Sequence, residues 1–234
     1  MEHPLLQTYG PLDGWMILLL IGGVSIGFFL YQVQLATRLV LLGASDDRFD
    51  SPSKRVMEVI TGWLGQKRVL EDRVVGVMHV LMFWGFLMLS TDMFDLATAN
   101  WFSHNVLPEL LNGPWNGMVE FGYTIALIGC VAALLRRVVF TPEKLKGKSQ
   151  LEGNFILILI MTITSTSFIV ESAESPSATW EPLGHWIAGL GLADGAIIAA
   201  YWAHMLAICT FFVLIPVSKH MHLVMAFPNV FFYD

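Results

Sequence analysis

The chain has 234 residues, of which 55% are hydrophobic and only 14% charged, with a net charge of −6. A soluble domain carries about 45–50% apolar and about 25% charged residues, so this composition excludes a soluble domain, and it excludes disorder as well. The acidic balance speaks against nucleic-acid binding, and two cysteines, Cys130 and Cys209, are too few for a disulfide framework or a four-cysteine metal site.

The remaining class is an all-α membrane protein. A helix crossing about 30 Å of hydrocarbon needs about 20 mostly apolar residues. Five stretches qualify, at residues 15–42, 74–97, 117–140, 155–170 and 196–217 or slightly longer. They predict a bundle of five transmembrane helices that forms one membrane domain over residues 1–234. The runs are long and lack strict alternation, which excludes barrel strands. No basic residue precedes the first span, and its apolar run exceeds that of a signal peptide, so it is expected to remain in the mature chain. The fourth span is the shortest, and its second half, Thr162-Ile163-Thr164-Ser165-Thr166-Ser167, is polar. Hydroxyls that bond back to helix carbonyls make such a run tolerable.

Orientation follows from the basic residues. All 13 Lys and Arg lie between spans 1 and 2, between spans 3 and 4, or at adjoining span ends, from Arg38 to Arg73, from Arg136 to Lys148, and at Lys219. The outer loop 4–5 instead carries Glu171, Glu174, Glu181 and Asp194. This bias predicts N-out, C-in insertion, as a multi-pass protein of the cytoplasmic (inner) membrane. In loop 1–2, Val56, Val59, Ile60, Trp63 and Leu64 recur at helical spacing after the start signal Ser51-Pro52. They predict an amphipathic helix, on the membrane surface or under a partner. In loop 4–5, Trp180 and Trp186 fit an interfacial belt.

Seven histidines occur, and four of them, His79, His204, His220 and His222, lie in or at the ends of spans. An ionisable side chain in a span is a functional candidate by default, the bland reading being an interhelical hydrogen bond. His204 and His222 are 18 positions apart, five turns at about 3.6 residues each. They are expected on one face of one helix about 27 Å apart, with His220 turned away by roughly 160°; Pro216 between them loosens that angle. His79 enters from the cytoplasmic end of span 2, at a depth nearer that of His222 than that of His204. Two imidazoles from different helices at similar depth can hold a haem iron from both sides. Gly76, Gly85, Gly22, Gly23 and Gly27 are available to line it. Zinc would want further ligands at tetrahedral spacing, and purely structural histidines remain the other alternative.

The segment Pro216-Val217-Ser218-Lys219-His220-Met221-His222, running into Pro228-Asn229-Val230-Phe231-Phe232, resembles a signature of the nitrate reductase gamma-subunit family of cytochromes b. The branch it resembles is associated with heterodisulfide-reductase-like iron–sulfur proteins. His204, and Gly76-Val77-Met78-His79 followed by Phe83-Trp84-Gly85-Phe86, fit the same pattern. The resemblance implies haem b bound between His79 and His222. It places a further second-helix ligand at Leu89, which cannot ligate iron. His204 then holds a five-coordinate haem, pairs with an unexpected partner such as His185, or serves a quinone. By the same resemblance, the family relays electrons between a membrane quinone, menaquinone, and a cytoplasmic iron–sulfur partner. The chain has no CxxC with which to hold such clusters itself. Asp92, Asp95, Glu120 and Glu171 are candidates for handling the quinone's protons. The alternative is a haem-free anchor subunit of a redox complex.

Overall fold

The computed structural model describes residues 3–43, 49–102, 113–140, 148–174 and 176–233, with side chains except at 92–102 and 148–149. A hairpin of β1 (Thr8–Tyr9) and β2 (Leu12–Asp13), turning through Gly10 at φ 66°, leads into α1 (Gly14–Val40). Then follow α2 (Pro52–Glu58), a π-helical turn (Val59–Leu64), α3 (Arg73–Phe102) and α4 (Gly113–Val139). The chain continues with α5 (Lys148–Glu171), α6 (Pro182–Ala188), α7 (Asp194–Leu214) and α8 (His222–Phe231). Five helices are long and apolar enough to cross a membrane, one for each predicted span. His104 and the basic residues Arg48, Lys144 and Lys146 lie outside the described residues.

Several helix ends differ from expectation, with α3 running on to Phe102 and α4 beginning at Gly113. The fourth span is a 24-residue helix, extending seven residues upstream of the apolar run at 155. Its added turns carry Gln150, Glu152 and Asn154, which are tolerated in helices although they are not apolar; hydropathy therefore underestimates its length. The last span reaches Val217 as expected, but its regular α-helix ends at Leu214. After Leu214 come a 3₁₀ turn (Ile215–Val217), extended Ser218 at φ −122° and ψ 175°, and a second 3₁₀ turn (Lys219–Met221). Pro216 has no N–H to continue the ladder, and the Ser218 hydroxyl caps the new turn by accepting from the His220 N–H at 3.1 Å. His204 and His222 are thus on separate helices, and the five-turn, one-face expectation does not hold.

The chain divides into two compact units, one spanning Val77–Ala207, the other formed by residues up to Gly76 with those from Ile208 onward. In the first, α4 and α5 pack along their lengths around Trp115, Val119, Tyr123 and Phe168, with Leu89, Met118, Leu127 and Ile187 against that cluster. The Tyr123 and Phe168 rings meet edge to face, 5.6 Å between centroids. Helix α3 closes on α4 at Gly85, where an added Cβ would lie 2.7 Å from both the Ala126 Cβ and the Gly122 carbonyl. Cys130 is fully buried, a small core residue as expected.

In the second unit, the helix expected in loop 1–2 forms, as α2 and the π turn. Of its apolar residues, Trp63 meets α8 of the same chain, while Val56 and Ile60 are exposed. Trp63 packs edge-on to Phe227 at 5.6 Å, and Phe49 to Phe232 at 5.5 Å. Arg55, only 6% exposed, fastens the end of α8. Its Nη1 donates to the Phe231 carbonyl at 3.1 Å, while Nε and Nη2 donate to the Asp50 carbonyl and carboxylate at 2.9 and 2.6 Å.

Candidate functional site

Four hydroxyls of the polar run of α5 bond the carbonyl one turn back, as hydroxyls in an apolar helix do. Thr162 donates to the Ile158 carbonyl at 2.9 Å, Thr164 to Ile160 at 3.0 Å, Thr166 to Thr162 at 2.6 Å and Ser167 to Ile163 at 3.0 Å. Thr166 and Ser167 are 38 and 37 positions from His204, yet both reach its ring. Nδ1 of His204 lies 3.0 Å from the Thr166 hydroxyl, 3.4 Å from the Ser167 hydroxyl and 3.1 Å from the Ile163 carbonyl. The half-buried imidazole of α7 is thus seated against the polar stripe of α5.

The other predicted site residues are carried by α3, α6 and α8. His185 sits on α6 at the exposed surface, its Nδ1 3.1 Å from the Pro176 carbonyl. His79 is half-buried on α3, in the first unit, and His222 opens α8, in the second. Nδ1 of His222 lies 2.9 Å from the Lys219 carbonyl. The His220 ring stacks obliquely on that of His222, 5.9 Å between centroids. Leu89 is apolar core, packed against the Trp115–Phe168 cluster. Of the expected lining glycines, Gly85 and Gly76 are filled by protein, since a Cβ at Gly76 would strike the Val69 carbonyl. At Gly22, Gly23 and Gly27 a Cβ would meet no atom of their own unit.

Glu120 makes a structural contact between α4 and α6. Its side chain is buried, and its two carboxylate oxygens accept from the Leu183 N–H at 3.1 Å and the Gly184 N–H at 2.8 Å. These are the first turn of α6, whose opening N–H groups have no partner within the helix. Glu120 of α4 therefore ties down the segment that carries His185 and Trp186. Asn116 adds a 3.3 Å bond to Glu181 beside it. Nothing in the sequence links position 120 to 183. The side chains of Asp92 and Asp95 lie outside the described residues, and Glu171 ends α5.

Among the described residues, no group of three or more His, Cys, Asp or Glu is placed to hold a bare metal ion. Haem iron asks for less, one or two imidazoles, each oriented by a hydrogen bond from its second ring nitrogen. His204, His222 and His185 each have Nδ1 at bonding distance from a backbone carbonyl, an arrangement that fits an imidazole ligand acting through Nε2.

No family model matches the chain, and no solved structure matches it. Over 235 residues it is 28% identical to the probable iron-sulfur-binding oxidoreductase FadF of Bacillus subtilis (strain 168), covering 93% of this chain and 32% of that protein. Over 246 residues it is 25% identical to the EtfAB:quinone oxidoreductase of Syntrophomonas wolfei, covering 94% of this chain and 34% of that protein. The chain spans about a third of the length of these curated relatives, and both are oxidoreductases.

Proposed function

We propose that this chain is a membrane cytochrome b module that passes electrons between a membrane quinone and an iron–sulfur oxidoreductase on the cytoplasmic side. The observation that carries the reading is the similarity of more than nine-tenths of the chain to two redox proteins, one named for iron–sulfur binding and one for quinone. The narrower resemblance, to nitrate reductase gamma subunits and the heterodisulfide-reductase-like branch, is carried by His79, His204 and the Pro216–His222 segment.

In this reading His79 and His222 hold haem b, and His204 is the ligand or quinone contact of a second position. Haem supplies a one-electron carrier whose potential is set by its ligands and burial. The Lys219 carbonyl orients His222 through Nδ1, as the Ile163 carbonyl does His204. Leu89 offers no ligand and already belongs to the core, which favours one six-coordinate haem per chain. A quinone exchanges two protons with its two electrons, so proton-handling groups must lie beside it. Glu120 is bonded to α6, and Asp92, Asp95 and Glu171 are the other carboxylates for that task. Menaquinone as the quinone, insertion in the cytoplasmic membrane as a single five-span domain, and a partner that docks on the basic loops complete the proposal.

The test is a reduced-minus-oxidised spectrum of the purified full chain, with pyridine haemochrome quantitation. A b-type alpha band at one haem per chain is expected, lost in H79A and in H222A. Well-folded protein that stays colourless after ample haem supply would leave the haem-free anchor as the answer.

A further inference from the structure

We propose that the Ile163 carbonyl and the Thr166 and Ser167 hydroxyls of α5 form a positioning shelf that fixes His204 as its Nδ1–H tautomer. Each of the three groups around Nδ1 can take a proton from the ring. The Ile163 carbonyl, 3.1 Å away, can only accept. The Thr166 hydroxyl has the Thr162 carbonyl at 2.6 Å and the Ser167 hydroxyl has the Ile163 carbonyl at 3.0 Å. Each hydroxyl proton therefore has a helix carbonyl to go to, which leaves the oxygen lone pairs for the ring. A bare Nδ1 would set its own lone pair against the carbonyl oxygen, in a low-dielectric span where an unmet polar contact is expensive.

A neutral imidazole carries one N–H. With that proton on Nδ1, the electron pair is on Nε2, across the ring from α5. The shelf thus makes His204 an electron-pair donor at one defined atom. The acceptor we assign is haem iron, and that assignment rests on the function proposed above; the tautomer does not. Thr166 and Ser167 act through His204 and are positioning residues. The polar half of an otherwise apolar span thereby gains a purpose beyond its internal helix bonds.

Nitrogen NMR of the full-length chain, labelled with ¹⁵N-histidine and expressed with haem synthesis suppressed, tests this. H204Q assigns the ring signals. At about pH 8, above the ordinary histidine value, His204 is expected as a neutral ring with a protonated Nδ1 and a pyridine-like Nε2. T166V/S167A is expected to bring up an Nε2–H population, and T166S/S167T to restore the single wild-type pattern. An Nε2–H ring in the unaltered chain overturns the proposal, and a T166V/S167A spectrum identical to wild type overturns the part assigned to the two hydroxyls, leaving the Ile163 carbonyl alone as the fixing group. Haem-loaded protein separates the two claims. If Nδ1–H is found but the Nε2 signal is unmoved by haem, the shelf stands and the iron assignment falls. If haem binds through His204 while the haem-free ring is Nε2–H, the shelf falls and the cytochrome stands.

Discussion

A carboxylate within a helix that crosses a membrane is expensive unless its charge is met by donors, and Glu120 is met by two backbone N–H groups. Such charge-assisted bonds are worth roughly 1.5–3 kcal/mol, so E120A should destabilise the protein by about 1–3 kcal/mol. Hydrogen exchange at Leu183 and Gly184 should accelerate with it. E120Q should fall between, since an amide offers one acceptor oxygen where the carboxylate offers two. Thermal unfolding in detergent measures both; an E120A protein that melts with wild type would assign Glu120 some other role. The same residue shows what the sequence could and could not reveal. Its place at the outer end of a span made it a candidate, and chemistry suggested proton handling. The purpose depends on a contact with backbone 63 and 64 positions away, and backbone donors leave no trace in residue type. His204 is the parallel case. Its place in a span singled it out, but pairing it with Thr166 required knowing which faces of α5 and α7 meet.

At the scale of elements, the five long helices were legible because lipid demands continuous apolar runs. Their ends were less so, because helix ends are set by breakers and caps rather than by hydropathy. Residues 148–154 continue α5 although most are not apolar, and Pro216 and Ser218 interrupt the last segment just past an apolar run. Helix α8 is held by Arg55, whose planar fork reaches three acceptor groups at once. R55A should release the end of α8, raising hydrogen exchange across 222–231, and R55K should not rescue it, since one ammonium cannot reproduce the fork. Asp50 gives this latch a pH dependence. Its hydrogen bond to Arg55, and then the guanidinium charge, hold its carboxyl below the usual value of 3.8. A lowered folded value means the contribution is full above about pH 4 and is lost as pH falls through that lowered value. The protection of α8, the unstructured exchange rate relative to its own at the same pH, should therefore be level from neutral pH down to about 5, fall in stronger acid, and lose this acid step in D50N. Between α3 and α4 the close approach at Gly85 leaves no room for a methyl group. G85A is expected to lower stability by about 1–3 kcal/mol, read as a drop in melting temperature; an unchanged melt would mean that the two helices part easily there.

For the whole molecule, charge distribution carries information that the packing of helices does not. The described basic residues that flank spans, among them Arg38, Lys54, Lys67, Arg73 and Lys219, all precede an odd-to-even crossing or follow the last one. The connection between α5 and α7 bears none, and it carries Glu174 and Glu181. Positive charge is retained on the cytoplasmic side during insertion, so α2, the π turn and α8 are expected there, with α6 on the opposite side. This also sets the direction from which a soluble redox partner would approach, because α2 and α8 lie with the basic segments. Cysteine labelling in intact cells decides it. Cys130 is fully buried and Cys209 half-buried inside a helix, so background reaction should be low. A membrane-impermeant maleimide should label T179C in the exposed segment before α6 and should leave S53C at the start of α2 untouched until the membrane is opened. The reverse pattern would invert the protein and put the proposed iron–sulfur partner on the wrong side of the membrane, even if haem were found in every chain.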